Sequence, residues 1–113
     1  MNIPESIRIG GVEYAVTREP FLSLDGRELC GMIDYLQGVI ALSDNVGMSH
    51  DKECLTLWHE IFHGIAHHFD LDLEDEENVV ELFARGVYQV LQDNGGRLFD
   101  LKEVTPNENW QSV

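Results

Sequence analysis

The stretch Trp58-His59-Glu60-Ile61-Phe62-His63 constrains this chain more than any other. On an α-helix, two histidines four residues apart fall one turn apart on the same face, so their imidazoles can grip one metal ion from the same side. Glu60 lies beside that face, placed to reach a bound water without being a ligand itself. The plainer reading is a solvated His/Glu cluster on an amphipathic helix. A third ligand and a scaffold elsewhere in the chain are what would separate the two.

The flanking sequence supports a helix. Ser49 is an N-cap, Asp51 and Glu53 place negative charge in the first turn, and the pattern continues to about His68. Leu55, Trp58, Phe62, Ile65, Ala66 and Phe69 form an apolar stripe expected to pack on a sheet, while His59, His63 and His67 follow one another on a neighbouring stripe. An acidic connection over 70–77 leads to a second helix from about Asp75 to Asp93, with Val79, Val80, Phe83, Val87, Val90 and Leu91 as its apolar side. Asn94-Gly95-Gly96 stops it.

Ahead of the helices the period changes to two. Ile7 and Ile9 alternate before a Gly10-Gly11 turn, and Val12, Tyr14 and Val16 after it, which predicts a hairpin. Phe21 to Glu28 carries Asp25-Gly26 and reads as a loop. Leu29 to Leu36 and Val39 to Ser43, about a turn at Gln37-Gly38, predict a second hairpin. The expected fold is therefore α+β: a small, mainly antiparallel sheet of three or four strands packed against two helices. Residues 1–96 form one domain in this reading, and 97–113 a polar C-terminal tail, flexible or folded back as a latch.

Composition narrows the function. With 7 basic and 21 acidic side chains among 113 residues, the net charge is −14. Such a chain repels phosphate backbones and anionic bilayers, which argues against nucleic-acid and membrane partners. The N-terminus shows no signal peptide, and Cys30 and Cys54 lack metal-ligand spacing, so the expectation is a reduced cytoplasmic protein.

Two histidines do not complete a catalytic zinc site, which takes three protein ligands and a water. The second helix offers Glu76, Glu77 and Glu81. Glu81 is the favoured third ligand, because Ala84 one turn later lets the two helices approach closely; Glu77, one turn earlier on the same face, is the reserve.

His59-Glu60-x-x-His63 followed by Glu81-x-x-Ala84 resembles the gluzincins, zinc peptidases whose third ligand is a glutamate on a following helix. The layout is similar to the minigluzincins and to the small phage and mobile-element proteins of the ImmA/IrrE group. The similarity runs through Gly31-Met32-Ile33-Asp34-Tyr35, Val39-Ile40-Ala41-Leu42 and Val80 to Gln89, and covers residues 6–94. It implies Zn2+ on His59, His63 and Glu81, Glu60 as general base in peptide-bond hydrolysis of a protein or peptide substrate, a phage or prophage origin, and a strand Val39–Ser43 that borders the cleft with an edge to which the substrate adds in extended form.

Two positions depart from that pattern. Thermolysin-like members carry an aspartate four residues after the third ligand to support a zinc-bound histidine; Arg85 stands there, so it pairs with an acidic neighbour or faces an oxyanion. No motif marks an oxyanion donor, for which Tyr88 is the nearest candidate, followed by His67 and Tyr35. His50 and His68 are expected to face solvent. The competing class is a non-catalytic zinc-binding module serving regulation or protein interaction.

Overall fold

The computed structural model describes residues 2–44 and 47–95. Its elements follow the change of period in the sequence. β1 (Ser6–Ile9) and β2 (Val12–Glu19) form the first hairpin, with Ile9 opposite Val12 across the Gly10-Gly11 turn. Both glycines have positive φ, the backbone that a two-residue hairpin turn of this hand demands. Phe21 to Glu28 is more regular than a loop: β3 (Ser23–Leu24) and β4 (Arg27–Glu28) pair about Asp25-Gly26, whose φ angles of 52° and 76° make the same kind of turn. β5 (Gly31–Asp34) and β6 (Val39–Ser43) make the last hairpin.

The main sheet has the order β1-β2-β6-β5. Two of its three pairings are antiparallel hairpins, whereas β2 and β6 run parallel, Ala15 opposite Val39 through Glu19 opposite Ser43. Central position explains the unbroken apolar run of β6, in which Ile40, Ala41, Leu42 and Ser43 are all buried. It also corrects the expectation that Val39–Ser43 borders the cleft with a free edge. β6 is paired on both sides, and β5 is the edge strand.

Helix α1 (His50–His68) begins where expected, the Ser49 hydroxyl accepting from the Lys52 amide. It ends without a glycine: Asp70 takes the left-handed conformation instead, with a φ of 52°. Helix α2 (Glu76–Asn94) packs on α1 and on no strand among the described elements. The layers are thus sheet, α1, α2, and α1 has neighbours on two sides.

That layering corrects the expected burial phase of α1. Leu57 and Ile61, absent from the expected stripe, enter the core with Ile9, Tyr14, Ile40 and Leu42. Gly64 sits against the methyl ends of Ile9 and Ile33. Trp58 and Phe62 of the expected stripe are half-buried, and Phe62 meets Phe83 of α2 at a ring separation of 5.9 Å, while Phe69 is exposed. On α2 the buried line is Val80, Ala84 and Tyr88, with the small Ala84 wholly covered. The two cysteines are free thiols, Cys54 buried and Cys30 exposed. Among the described residues no helix is long and apolar enough to cross a membrane. The expected tail, 97–113, lies outside the described residues.

Candidate metal centre

Helical spacing puts His59 and His63 on the side of α1 that α2 approaches, and Glu76, Glu77 and Glu81 on the side of α2 that faces back. His59 Nε2 lies 2.7 Å from one Glu77 oxygen and His63 Nε2 2.9 Å from the other. The two Nε2 atoms are 3.1 Å apart. Ligand atoms around a tetrahedral zinc with bonds of ~2.1 Å lie about 3.4 Å from one another, so the three groups converge on one point and would move slightly apart to admit an ion. His59, His63 and Glu77 lie close enough to bind a metal ion.

The outer edges of both rings are held as well. Glu76 Oε2 is 2.7 Å from His63 Nδ1, and Glu81 Oε1 is 3.0 Å from His59 Nδ1. Each ring nitrogen thus faces a carboxylate, which can only accept; with a cation between the Nε2 atoms and Glu77, Glu76 and Glu81 would hold the ring proton on each Nδ1 and leave each Nε2 lone pair to the ion. The surrounding carboxylates also act on His63: burial works against charge there, but Glu76, Glu60 and Glu77 outweigh it and its pKa is raised.

The third corner thus falls to Glu77, the reserve, and Glu81 occupies the orienting position instead. Glu81 is held below the usual carboxylate range by the hydrogen bond from His59, assisted by Arg85, whose Nη2 lies 3.0 Å from Glu81 Oε2. Arg85 pairs with an acidic neighbour, one of the two roles open to it. Glu76 was passed over in the sequence because nothing in its periodicity separates it from Glu77. Its signal is the missing aspartate after Glu81, which left one histidine in want of a partner.

No family model, curated protein or solved structure matches the chain. What the site can do rests on its own geometry.

Glu60 is only 7% exposed, and burial pushes its pKa up against the pull of His59 and His63. It lines a cavity of about 730 Å³ together with His59, His63, Glu77 and the edge strand β5. Gly31 lets that strand come close. A Cβ there would stand 2.6 Å from Thr56 Cγ2 and 3.4 Å from Glu60 Oε2.

The candidate oxyanion donors separate. Tyr88 is buried away from the cavity, its hydroxyl donating to Asp51 and accepting from Gln92, so it does not serve there. His67 is exposed and stacks on Tyr35 at 3.8 Å. Tyr35 itself lines the cavity and donates to the His63 carbonyl at 3.2 Å. Burial, with Glu76 and Glu60 nearby, raises its pKa to about 12, so it keeps its O–H at neutral pH. His68, expected in solvent, is half-buried and meets the Tyr14 hydroxyl; His50 approaches the Cys54 sulfur at 3.5 Å.

Proposed function

We propose that the chain is a zinc-dependent peptidase of the gluzincin kind, with Glu60 as general base and His59, His63 and Glu77 as ligands. Its main support is the position of Glu60: a buried carboxylate with a raised pKa, adjoining a three-ligand cluster at the wall of a cavity bordered by a strand edge. The resemblance of His59-Glu60-x-x-His63 and its following helix to the minigluzincins and the phage-type ImmA/IrrE group points the same way.

A zinc ion, when bound, makes water acidic enough to attack near neutral pH and polarises a carbonyl. The protein's own groups do the rest. Glu60 accepts the proton of the attacking water and returns it to the leaving amine, a task suited to a carboxylate whose burial favours the protonated form. Glu76 and Glu81 keep both imidazoles in the tautomer that offers Nε2. The edge of β5 that no described strand pairs offers backbone N–H and C=O groups to a peptide in extended form. Tyr35 stands at the cavity wall with its hydroxyl on the His63 carbonyl, which it would have to leave to reach a substrate oxygen.

The competing reading, a metal-binding module without turnover, is favoured by one observation: Tyr88 spends its hydroxyl on Asp51 rather than in the cavity. Glu60→Gln separates the two. The wild-type chain loaded with zinc should cleave denatured protein in a broad proteome digest, and the variant should hold zinc at unchanged stoichiometry with no cleavage. Turnover that survives in Glu60→Gln overturns the mechanism; a zinc-loaded wild type that cleaves nothing leaves the binding module.

A further inference from the structure

In a chain of net charge −14, cations are scarce, and their placement carries information. The described residues hold five of them: Arg8, Arg18, Arg27, Lys52 and Arg85. Arg8 pairs with Glu13 at 3.8 Å, and Arg18 with Glu53 at 2.8 Å, both away from the cavity. The other three all line it. Arg85 is occupied by Glu81, but Arg27 and Lys52 have no carboxylate partner among the described residues.

The acidic groups in the same cavity are already engaged. Glu77 faces both imidazoles, Glu81 is shared between His59 and Arg85, and Glu60 is the buried base. What the cavity leaves unmatched is positive charge, on a molecule whose surface otherwise repels anions. We propose that Arg27 and Lys52 select a peptide carrying an acidic side chain near the scissile bond. The selection of a substrate, as opposed to a bound ligand, rests on the peptidase reading above.

Geometry sets the position. Lys52 precedes His59 by seven residues and stands on the same side of α1, with Thr56 between them in the cavity wall. Seven residues of helix span ~10 Å. An extended peptide covers that distance in about three residues. Arg27, at the start of β4, lines the same cavity from the hairpin that precedes β5. The expected preference is therefore for Asp or Glu two to four residues from the cleaved bond, with little demand at the bond itself.

The test uses labelled ten-residue peptides of one neutral parent sequence, with Glu or Lys scanned through every position and with free or amidated C-termini. Binding is read by fluorescence anisotropy on the zinc-loaded Glu60→Gln variant, and cleavage by mass spectrometry with the zinc-loaded wild type. Peptides with one Glu at the favoured positions should bind several-fold tighter than the parent, and Lys52→Glu or Arg27→Glu should invert the order, favouring Lys by about 3- to 10-fold. An inversion is a result that mere structural damage does not produce, and the milder Arg27→Gln should abolish the preference without inverting it. Preference that follows the free C-terminus, and vanishes on amidation, overturns the side-chain assignment. Equal affinity for Glu and Lys peptides, or selectivity unmoved by both reversals, overturns the proposal even if the wild type cleaves all of them. Acid-selective binding with inversion, in a chain that cleaves nothing, leaves the proposed recognition standing and removes the peptidase.

Discussion

His59 is held on both edges by successive turns of one helix: Glu81 Oε1 lies 3.0 Å from its Nδ1, and Glu77 Oε1 lies 2.7 Å from its Nε2. The two carboxylates are one helical turn apart, yet they do different work. One would hold the Nδ1 proton of a metal-bound ring, and the other faces the candidate metal position. Glu77→Ala should therefore remove the ion, whereas Glu81→Ala should keep one ion per chain with about 10- to 100-fold weaker affinity. Competition with a chromophoric zinc chelator measures both. The opposite pattern, zinc retained by Glu77→Ala and lost by Glu81→Ala, would return the ligand role to Glu81.

Two glycines should respond in opposite senses to alanine. At Gly31 the new methyl would stand 2.6 Å from Thr56 Cγ2, so β5 and α1 must separate next to Glu60. The expected cost is about 1–3 kcal/mol in urea unfolding, together with a loss of any cleavage activity. At Gly86, in the middle of α2, a Cβ meets nothing within 4 Å. There alanine should add about 0.5–1 kcal/mol, because it restricts the unfolded chain and suits a helix.

Arg18 ties the end of β2 to the first turn of α1 through two hydrogen bonds to Glu53, at 2.8 and 2.9 Å. The hydrogen bond from Arg18 holds the Glu53 pKa below its ordinary value of 4.5. A depressed carboxylate pKa stabilises the fold at pH values above the unfolded-state pKa, and that contribution fades as pH falls through the lower folded-state value. Because the pair is half open to solvent, the amount should be below about 1 kcal/mol. Thermal melts of wild type and Glu53→Gln should differ by a constant margin above pH 5, a margin that shrinks below the ordinary carboxylate pKa of 4.5. A gap that widens on acidification would contradict this.

Tyr14 is fully buried, with its hydroxyl against His68 Nε2 near the end of α1. Burial raises its pKa, so it remains a protonated partner. Tyr14→Phe keeps the ring and strands the half-buried imidazole, and should cost about 1–2 kcal/mol in chemical denaturation. No loss of stability would mean that His68 finds water instead.

The local features of this fold were legible in the sequence, and the non-local ones were not. Turn chemistry at Gly10-Gly11 and Gln37-Gly38 marked both main hairpins, and the Ser49 cap and Asn94-Gly95 bounded the helices to within a residue or two. The parallel pairing of β2 with β6 has no such mark, because it joins strands separated by two hairpins. Periodicity found that α1 is amphipathic but placed its core face only in part: a helix covered on two sides carries two apolar stripes, so Leu57 and Ile61 enter the core with Trp58 and Ile65 packed against it, while Phe62 meets Phe83 of α2. The site divided along the same line. His59, Glu60 and His63 followed from spacing alone, whereas choosing among Glu76, Glu77 and Glu81 required the path of the connection between the helices, which residue pattern does not encode.

The prospective ligands and the groups that orient them lie within a span of 22 residues, on two helices joined by a short connection. Closing so short a segment costs little chain entropy, so this hairpin holds the contacts that a folding chain makes most readily. The burial of Glu60 is different: it depends on β5 arriving through Gly31, from a part of the chain nearly thirty residues upstream. The ligand cluster thus rests on contacts close in sequence, and the burial of Glu60 on a distant one, so a substitution in β5 can reach Glu60 without changing a residue of either helix.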